Sequence, residues 1–493
     1  MAAVTSNLSS PEKAHEKGTA APVVGRTPPG PPPRKGIFRT LQYFAGFALD
    51  PMGFVKNRFD RYGDAYYAAN PDGGLFVFRH PDHVREVLST KASSFSKQHT
   101  AFTQLSRILG DGLLTSDGET WTRQRRMIGP AFSPARIAEY GAVMVEEALD
   151  TVRAWSAAPA GQPRNINDDM TNLTLRVVSR ALFGHDVSES DIQIVARAMH
   201  EFQRSLSSPD FLPAWIPLPA RKRLADNAAA LDALMLRLIR ERREGTPREG
   251  ARPGRRDLLE MLVTAVDTEA KDGRGGSLSV EEVRDQLVTL FLAGHETTAH
   301  ALSWTFLCLA QNPDVERKLH REIDDVLEGR PPTVADLERL PYTEQVVSEA
   351  LRLYPPVYGI ARRATEDVSI GPWQVTKGSE VMIWVYWTHR DPRFYPDPTA
   401  FRPERFAPEA AAALPKMAWL PFGGGPRACI GKSFAMMEAR LLLATLVQRH
   451  RVVLAPGEKV VVAPRITLTP KRGMRMIVSP RRPDPIRDRP PRD

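Results

Sequence analysis

Cys429 is one of two cysteines in 493 residues, and it lies in FGGGPRACIGKSFA between a glycine run and an amphipathic helical pattern. A thiolate at a helix start gains up to about 2 kcal/mol from the helix dipole, against a free thiol pKa of about 8.5. That shift leaves a mixture of thiol and thiolate at neutral pH. Only a bound metal deprotonates the sulfur outright, so the magnitudes favour coordination over a free nucleophile. A nucleophile elbow wants glycine two residues before the nucleophile, where this chain has Arg427. The glycines Gly423 to Gly425 let the backbone approach a flat ligand closely. Cys308, inside WTFLCLA, has the setting of a structural core cysteine.

The second candidate constellation is HETTAH, residues 295–300, inside EEVRDQLVTLFLAGHETTAHALSWTFLCLAQ. A helix over 281–311 would be about 45 Å long, and Asn312-Pro313 closes it. His295 and His300 are separated by about 140° around such a helix, so they cannot chelate one ion as HExxH does. A membrane span would put His295, Glu296 and His300 near mid-bilayer, where ionisable groups are expensive. Two readings stay open. One is an ordinary kinked core helix with satisfied polar groups. The other is an active site cut into a buried helix, in which Ala293 and Gly294 leave room for a ligand and Glu296 and Thr297 set a carboxylate beside a hydroxyl.

The elements that must position these groups are mostly helical. Apolar residues recur at three and four from about 137 to 345, as in MVEEALDTVRAW and LDALMLRLIRERRE. DAYYAA and GLFVF, residues 64–69 and 74–78, flank an Asn-Pro-Asp-Gly-Gly turn and predict a hairpin. RVVLA, KVVVAP, RITLTP and MRMIV return to strand character near the C-terminus. ARPGRRD and DGRGGS read as loops within one body rather than as domain boundaries. The expected fold class is mainly α, one large helical domain over residues 37–478 with small peripheral β-sheets. Residues 1–36 and 479–493, rich in proline and charge, read as disordered tails.

The net charge of +9 comes from arginines scattered among nearly as many acids, with no stripe for nucleic acid. Two distant cysteines argue for a reducing cytoplasm. FRTLQYFAGFAL, residues 38–49, is too short for an anchor, so the chain reads as soluble.

FGGGPRACIG resembles, position for position, the haem-binding signature of the cytochrome P450 family. AGHETT (293–298), EALR (349–352), FRPERF (401–406) and WTRQR (121–125) are similar to that family's other landmarks and occur in its order. The resemblance implies a soluble, bacterial-type haem-thiolate monooxygenase with haem b. Cys429 would be the axial thiolate, with Phe422, Gly425, Ala293 and Gly294 against the cofactor and Trp121, Arg125, Arg362 and Arg427 at its propionates. Thr297 and Glu296 would carry protons to dioxygen. Glu349, Arg352 and Arg405 would form a buried structural network.

By the same resemblance Phe102, Leu105, Phe291, Val357 and Ile360 would wall an apolar substrate pocket for a terpenoid, steroid or fatty acid. Phe211, Leu212, Trp215 and Ile216 would form its entrance. No flavin or iron–sulfur pattern follows Val478, so the resemblance implies electrons from NAD(P)H through a separate ferredoxin or flavodoxin and its reductase; a monomer is expected. Arg123, Arg126 and Lys432 would dock that carrier. The alternatives are a haem gas sensor or carrier and a peroxide-driven haem enzyme.

Overall fold

The computed structural model describes residues 26–32, 45–69, 74–98, 102, 105–106, 109–159, 161–184, 187–207, 218–244, 257–267 and 276–481. The longer helices are α1 (Pro51–Tyr62), α2 (Gly118–Ile128), α3 (Gly141–Ala157), α4 (Ile166–Phe183), α5 (Glu189–Ser207), α6 (Pro219–Arg243), α7 (Val280–Gln311), α8 (Pro313–Leu327), α9 (Pro341–Leu353) and α10 (Lys432–Arg449). Helices dominate and the sheets are small and peripheral, the fold class that the sequence predicts.

α7 is the long helix read from residues 281–311, and its ends are set locally. Ser279 Oγ accepts the Glu282 N–H at 3.1 Å, while Glu282 Oε2 accepts the Ser279 N–H at 2.9 Å, a reciprocal cap. Asn312 ends the helix, and Pro313 opens α8 at a position where its missing N–H costs nothing. Apolar residues cover most of its circumference, so it runs through the core rather than along the surface. α4 lies against it, and the buried Thr174 hydroxyl donates to the His295 carbonyl at 2.8 Å. Trp304 stacks on Tyr354 with ring centroids 4.5 Å apart, and its indole N–H donates to the Leu468 carbonyl at 2.8 Å. Burying each such large side chain contributes about 1.5–3 kcal/mol.

Strands β1 (Ala65–Ala68) and β2 (Leu75–Phe78) pair antiparallel from Ala65↔Phe78 to Ala68↔Leu75, as the hairpin reading expects. With β3 (Phe95–Ser96), β5 (Ile360–Ala364) and β8 (Glu380–Ile383) they form a sheet in the order β1-β2-β8-β5-β3. Strands β6 (Val368–Ile370) and β7 (Trp373–Val375) make a separate ribbon. Near the C-terminus β9 (His450–Leu454) and β12 (Arg475–Pro480) join β4 (Pro163–Asn165), while β10 (Val462–Pro464) pairs with β11 (Leu468–Pro470).

Both tail boundaries need correction. The Pro29 carbonyl accepts the Tyr67 N–H at 3.1 Å and the Arg26 carbonyl accepts the Gln374 N–H at 2.9 Å, so residues 26–32 lie along sheet edges. β12 continues to Pro480, opposite His450, and Arg481 is ion-paired with Asp324. Proline and charge in a segment do not reveal that a distant strand edge offers backbone donors to satisfy. The rest of both stretches lies outside the described residues, as do Phe38–Phe44 of the short apolar run and Phe211, Leu212, Trp215 and Ile216 of the expected entrance. Most of ARPGRRD and DGRGGS lies outside them too.

Candidate active site

A cavity of about 370 Å³ lies between α7, the Cys429 loop and the segment after α9. The α7 residues facing it are Thr289, Leu290, Ala293, Gly294, Thr297, Thr298 and Ala301, one face at three and four spacing. Phe291 is two positions from Ala293 and therefore points elsewhere. It is fully buried, with its ring 5.1 Å from that of Phe183, and is not a wall of the cavity. Leu105 likewise packs into the neighbouring hydrophobic cluster instead of lining the cavity. Phe102, Val357 and Ile360 do line it.

The Cys429 loop is built backwards onto itself: the Phe422 carbonyl accepts the Cys429 N–H at 2.9 Å. Phe422, Gly423 and Gly424 face the cavity, but Gly425 does not. Gly425 sits at φ +67°, and a Cβ there would lie 1.7 Å from the Leu88 carbonyl oxygen. Its glycine is thus required by backbone packing against Leu88. Cys429 lines the cavity, where the surrounding walls shield its thiol from bulk water although the residue as a whole keeps exposed surface. Burial pushes its pKa up, and the Gly431 N–H and Arg125 pull it back only in part. The protein by itself therefore favours the thiol, and a thiolate here needs a metal.

One wall of the cavity is cationic. Arg125, Arg362 and Arg427 line it, and so does Lys97, which sequence reasoning missed. Arg427 pairs with Asp117, donates to the Ser116 carbonyl at 2.8 Å, and lies over the Trp121 ring at 4.2 Å. Lys97 donates its ammonium to the Leu114 carbonyl at 3.0 Å and its backbone N–H to Asp117 at 2.8 Å. Burial first, then Arg362 and Arg427, holds its pKa down to about 7, and Arg362 is itself lowered to about 10 by burial and Arg427. Lys97 meets Arg362 because β3 pairs with β5, Ser96 opposite Arg363. Only that long-range pairing would have signalled it.

Lys97, Arg362 and Arg427 share the Asp117 carboxylate and Arg125 adds a further cation to the lining, so this wall fits a dianion. A sulfur on one side, cations on another and apolar side chains between them fit haem with its two propionates. Arg125, Arg362, Arg427, Lys97 and Trp121 would hold it at the propionates, and Cys429 would ligate its iron. When bound, haem supplies electron transfer and dioxygen chemistry.

Thr297 faces the cavity and its hydroxyl donates to the Ala293 carbonyl at 2.7 Å. Glu296 does not face it. The carboxylate and hydroxyl expected side by side point to different sides of α7, with Glu296 Oε1 accepting the Thr467 hydroxyl at 2.7 Å. Burial pushes the Glu296 pKa up, and Thr467 and Gln203 lower it in part. Glu438 of α10, fully buried, is pushed up to about 8 by burial, with Thr298 lowering it only in part.

Glu349 and Arg352 form a fully buried ion pair at 2.6 Å on α9. Arg352 also donates to the carbonyls of His389, Pro398 and Ala400 at 2.9, 2.8 and 3.1 Å, and Arg405 approaches Glu349 at 3.4 Å. Of the three expected docking residues, Arg123 pairs with Glu282 and Arg126 with Asp267, each at 2.5 Å, while Lys432 is exposed.

The chain belongs to the cytochrome P450 family: the family model "Cytochrome P450" matches residues 28–476. Cyclooctatin synthase of Streptomyces melanosporofaciens is 39% identical over 89% of this chain and 94% of that protein. Cyclooctat-9-en-7-ol 5-monooxygenase of the same organism is 33% identical over 90% and 95%. Pentalenene oxygenase of Streptomyces avermitilis is 31% identical over 88% and 94%. Among solved structures, the cytochrome P450DA heme domain superposes with TM-score 0.81 at 30% identity, covering 93% of this chain and 99% of that one. The protein is accordingly an oxidoreductase, a P450 monooxygenase. No helix among the described residues is long and apolar enough to cross a membrane.

Proposed function

We propose that this monooxygenase hydroxylates or epoxidises a terpenoid, using haem b ligated by Cys429. The observation that carries this is one cavity with Cys429 on one side, the Thr297 face of α7 on another, and Phe102, Leu113, Leu290, Val357 and Ile360 between them. Such a lining excludes water from the reacting groups and holds a rigid hydrocarbon by area rather than by hydrogen bonds. Relatives named for cyclooctatin, cyclooctat-9-en-7-ol and pentalenene support the same class. Thr297 offers the one hydroxyl aimed into this space from the HETT segment besides Thr298, and holds the proton passed toward dioxygen.

Electrons come from NAD(P)H through a separate ferredoxin or flavodoxin and its reductase, to a monomer in the cytoplasm. With Arg123 and Arg126 engaged in ion pairs, the docking charge is the exposed Lys432, whose ammonium lies 6.0 Å from the Trp419 ring centroid. Reduction by an acidic carrier slows as ionic strength rises; a rate indifferent to salt removes this docking face.

The deciding experiment has two arms. The reduced, carbon monoxide-bound protein shows the red-shifted Soret band of thiolate ligation, and bicyclic or tricyclic terpene alcohols then shift the Soret band of the oxidised protein. Fatty acids or steroids that shift it more strongly would overturn the terpenoid assignment.

A further inference from the structure

Three buried side chains behind the cavity wall form a line. The Thr467 hydroxyl oxygen, at the entry to β11, lies 2.7 Å from Glu296 Oε1 and 3.1 Å from His300 Nδ1. Glu296 and His300 are on one face of α7, but Nδ1 and Oε1 are 4.0 Å apart, too far for a direct hydrogen bond. Thr467 bridges them. Glu296 and His300 are each 4% exposed and Thr467 5%, so water does not compete for these bonds.

A hydroxyl carries one proton, so Thr467 donates to one neighbour and accepts from the other. With Glu296 ionised, Thr467 donates to the carboxylate and His300 Nδ1–H donates to Thr467. With Glu296 protonated, every bond in the line reverses and Nδ1 accepts. Both states need a neutral imidazole. Burial first, then His295 and Arg465, lowers the His300 pKa to about 3 and keeps it so. His295 is not part of the line, because its Nδ1 is held 2.7 Å from the Phe291 carbonyl. At the far end Ile466 and Arg465 are exposed, next to Thr467 in the chain.

We infer that His300, Thr467 and Glu296 are a proton relay that loads the Glu296 carboxylate from the β10–β11 side of the molecule. This rests on the assignment of Glu296 and Thr297 to the proton route and names the next members. In one passage a proton arrives at His300 Nε2, the Nδ1 proton moves to the Thr467 oxygen, and the Thr467 hydroxyl proton moves to Glu296 Oε1. Protons and charge balance: His300 ends neutral as its other tautomer, and Glu296 ends protonated. His300 and Thr467 do not line the cavity and are positioning residues.

The test is the rate at which the Glu296 carboxyl proton exchanges with solvent in full-length, haem-loaded protein. Its infrared carbonyl band, assigned by loss in Glu296→Gln, is followed after mixing into heavy water. Thr467→Val and His300→Phe slow the exchange by roughly tenfold or more, Thr467→Ser restores it, and α7 amide exchange stays unchanged. Wild-type exchange rates in both variants overturn the relay, even if the band frequency moves, because a merely structural bond shifts frequency without gating exchange. Should Thr467→Val fail to fold, His300→Phe against Thr467→Ser makes the same decision. Failure of the underlying reading looks different: the carbon monoxide complex would lack the thiolate band while Glu296 exchange remained measurable.

Discussion

His389 ties the carbonyl of Arg352 to the backbone of Leu420: its Nδ1 lies 3.2 Å from the Arg352 oxygen, and its Nε2 accepts the Leu420 N–H at 2.9 Å. Burial and the nearby arginines lower its pKa to about 3, so the ring is neutral, donating at Nδ1 and accepting at Nε2. Leu420 is two residues before Phe422, whose carbonyl fixes the Cys429 N–H. One imidazole thereby links the backbone at the end of α9 to the segment that leads into the Cys429 loop.

His389→Phe leaves the Leu420 N–H buried without a partner, which costs about 1–3 kcal/mol. The expected outcome is a lower Tm together with a smaller thiolate band per haem in the carbon monoxide spectrum. A lower Tm with a full thiolate band would mean that His389 supports the fold but not the loop.

Removing one member of the Glu349–Arg352 pair strands a charge with no solvent. Arg352→Met should cost about 3–5 kcal/mol and yield little haem-loaded protein. The soluble haem-to-protein ratio measures this, and near-normal loading would contradict a buried structural role.

Thr297→Ala removes the cavity-facing hydroxyl while leaving the helix intact, since that hydroxyl bonds only within its own turn. Product formed per electron pair falls by roughly tenfold or more, with peroxide released instead, as expected on losing a proton donor typically worth about 10²–10⁴-fold in rate. Thr297→Ser retains most of the coupling. Unchanged coupling in the alanine variant removes Thr297 from the proton route.

Lys97 gives haem binding a pH dependence. Its pKa without haem is about 7, and two propionates raise it, so the haem-bound state holds more protons than the empty one. Affinity for haem therefore rises as pH falls toward 7, and binding takes up a fraction of a proton near that pH. Calorimetric haem titration in buffers of different ionisation enthalpy measures the uptake. Lys97→Met abolishes it, whereas uptake that persists would locate it elsewhere.

Glu438 makes the opposite kind of contribution. Its folded pKa of about 8 exceeds the ordinary 4.5, so no penalty exists below about pH 4.5. Between those values the unfolded chain releases a proton that the folded chain keeps, and stability falls as pH rises. At about 1.4 kcal/mol per pKa unit, Glu438→Gln should raise Tm more at pH 8 than at pH 5. Equal gains at both would refute the assignment.

The parts legible in the sequence are those encoded within a few residues. The capped, apolar α7, the β1–β2 hairpin, the Cys429 loop and the α9 Glu-x-x-Arg all carry their signal locally. Lys97, His389 and Thr467 do not, because each acquires its role from a partner more than two dozen residues away. Phe291 differs for another reason: the resemblance implies a pocket wall, but two helical positions differ by about 200°, so Phe291 and the cavity-facing Ala293 do not share a face. At Gly425 the close backbone approach is legible in the loop, but its partner Leu88, more than three hundred residues earlier, is not.

The backbone bonds from Pro29 to Tyr67 and from Arg26 to Gln374 bear on how this enzyme should be handled. A purification tag or fused reductase belongs upstream of Arg26; trimming past it would bare two strand margins and invite self-association in concentrated preparations.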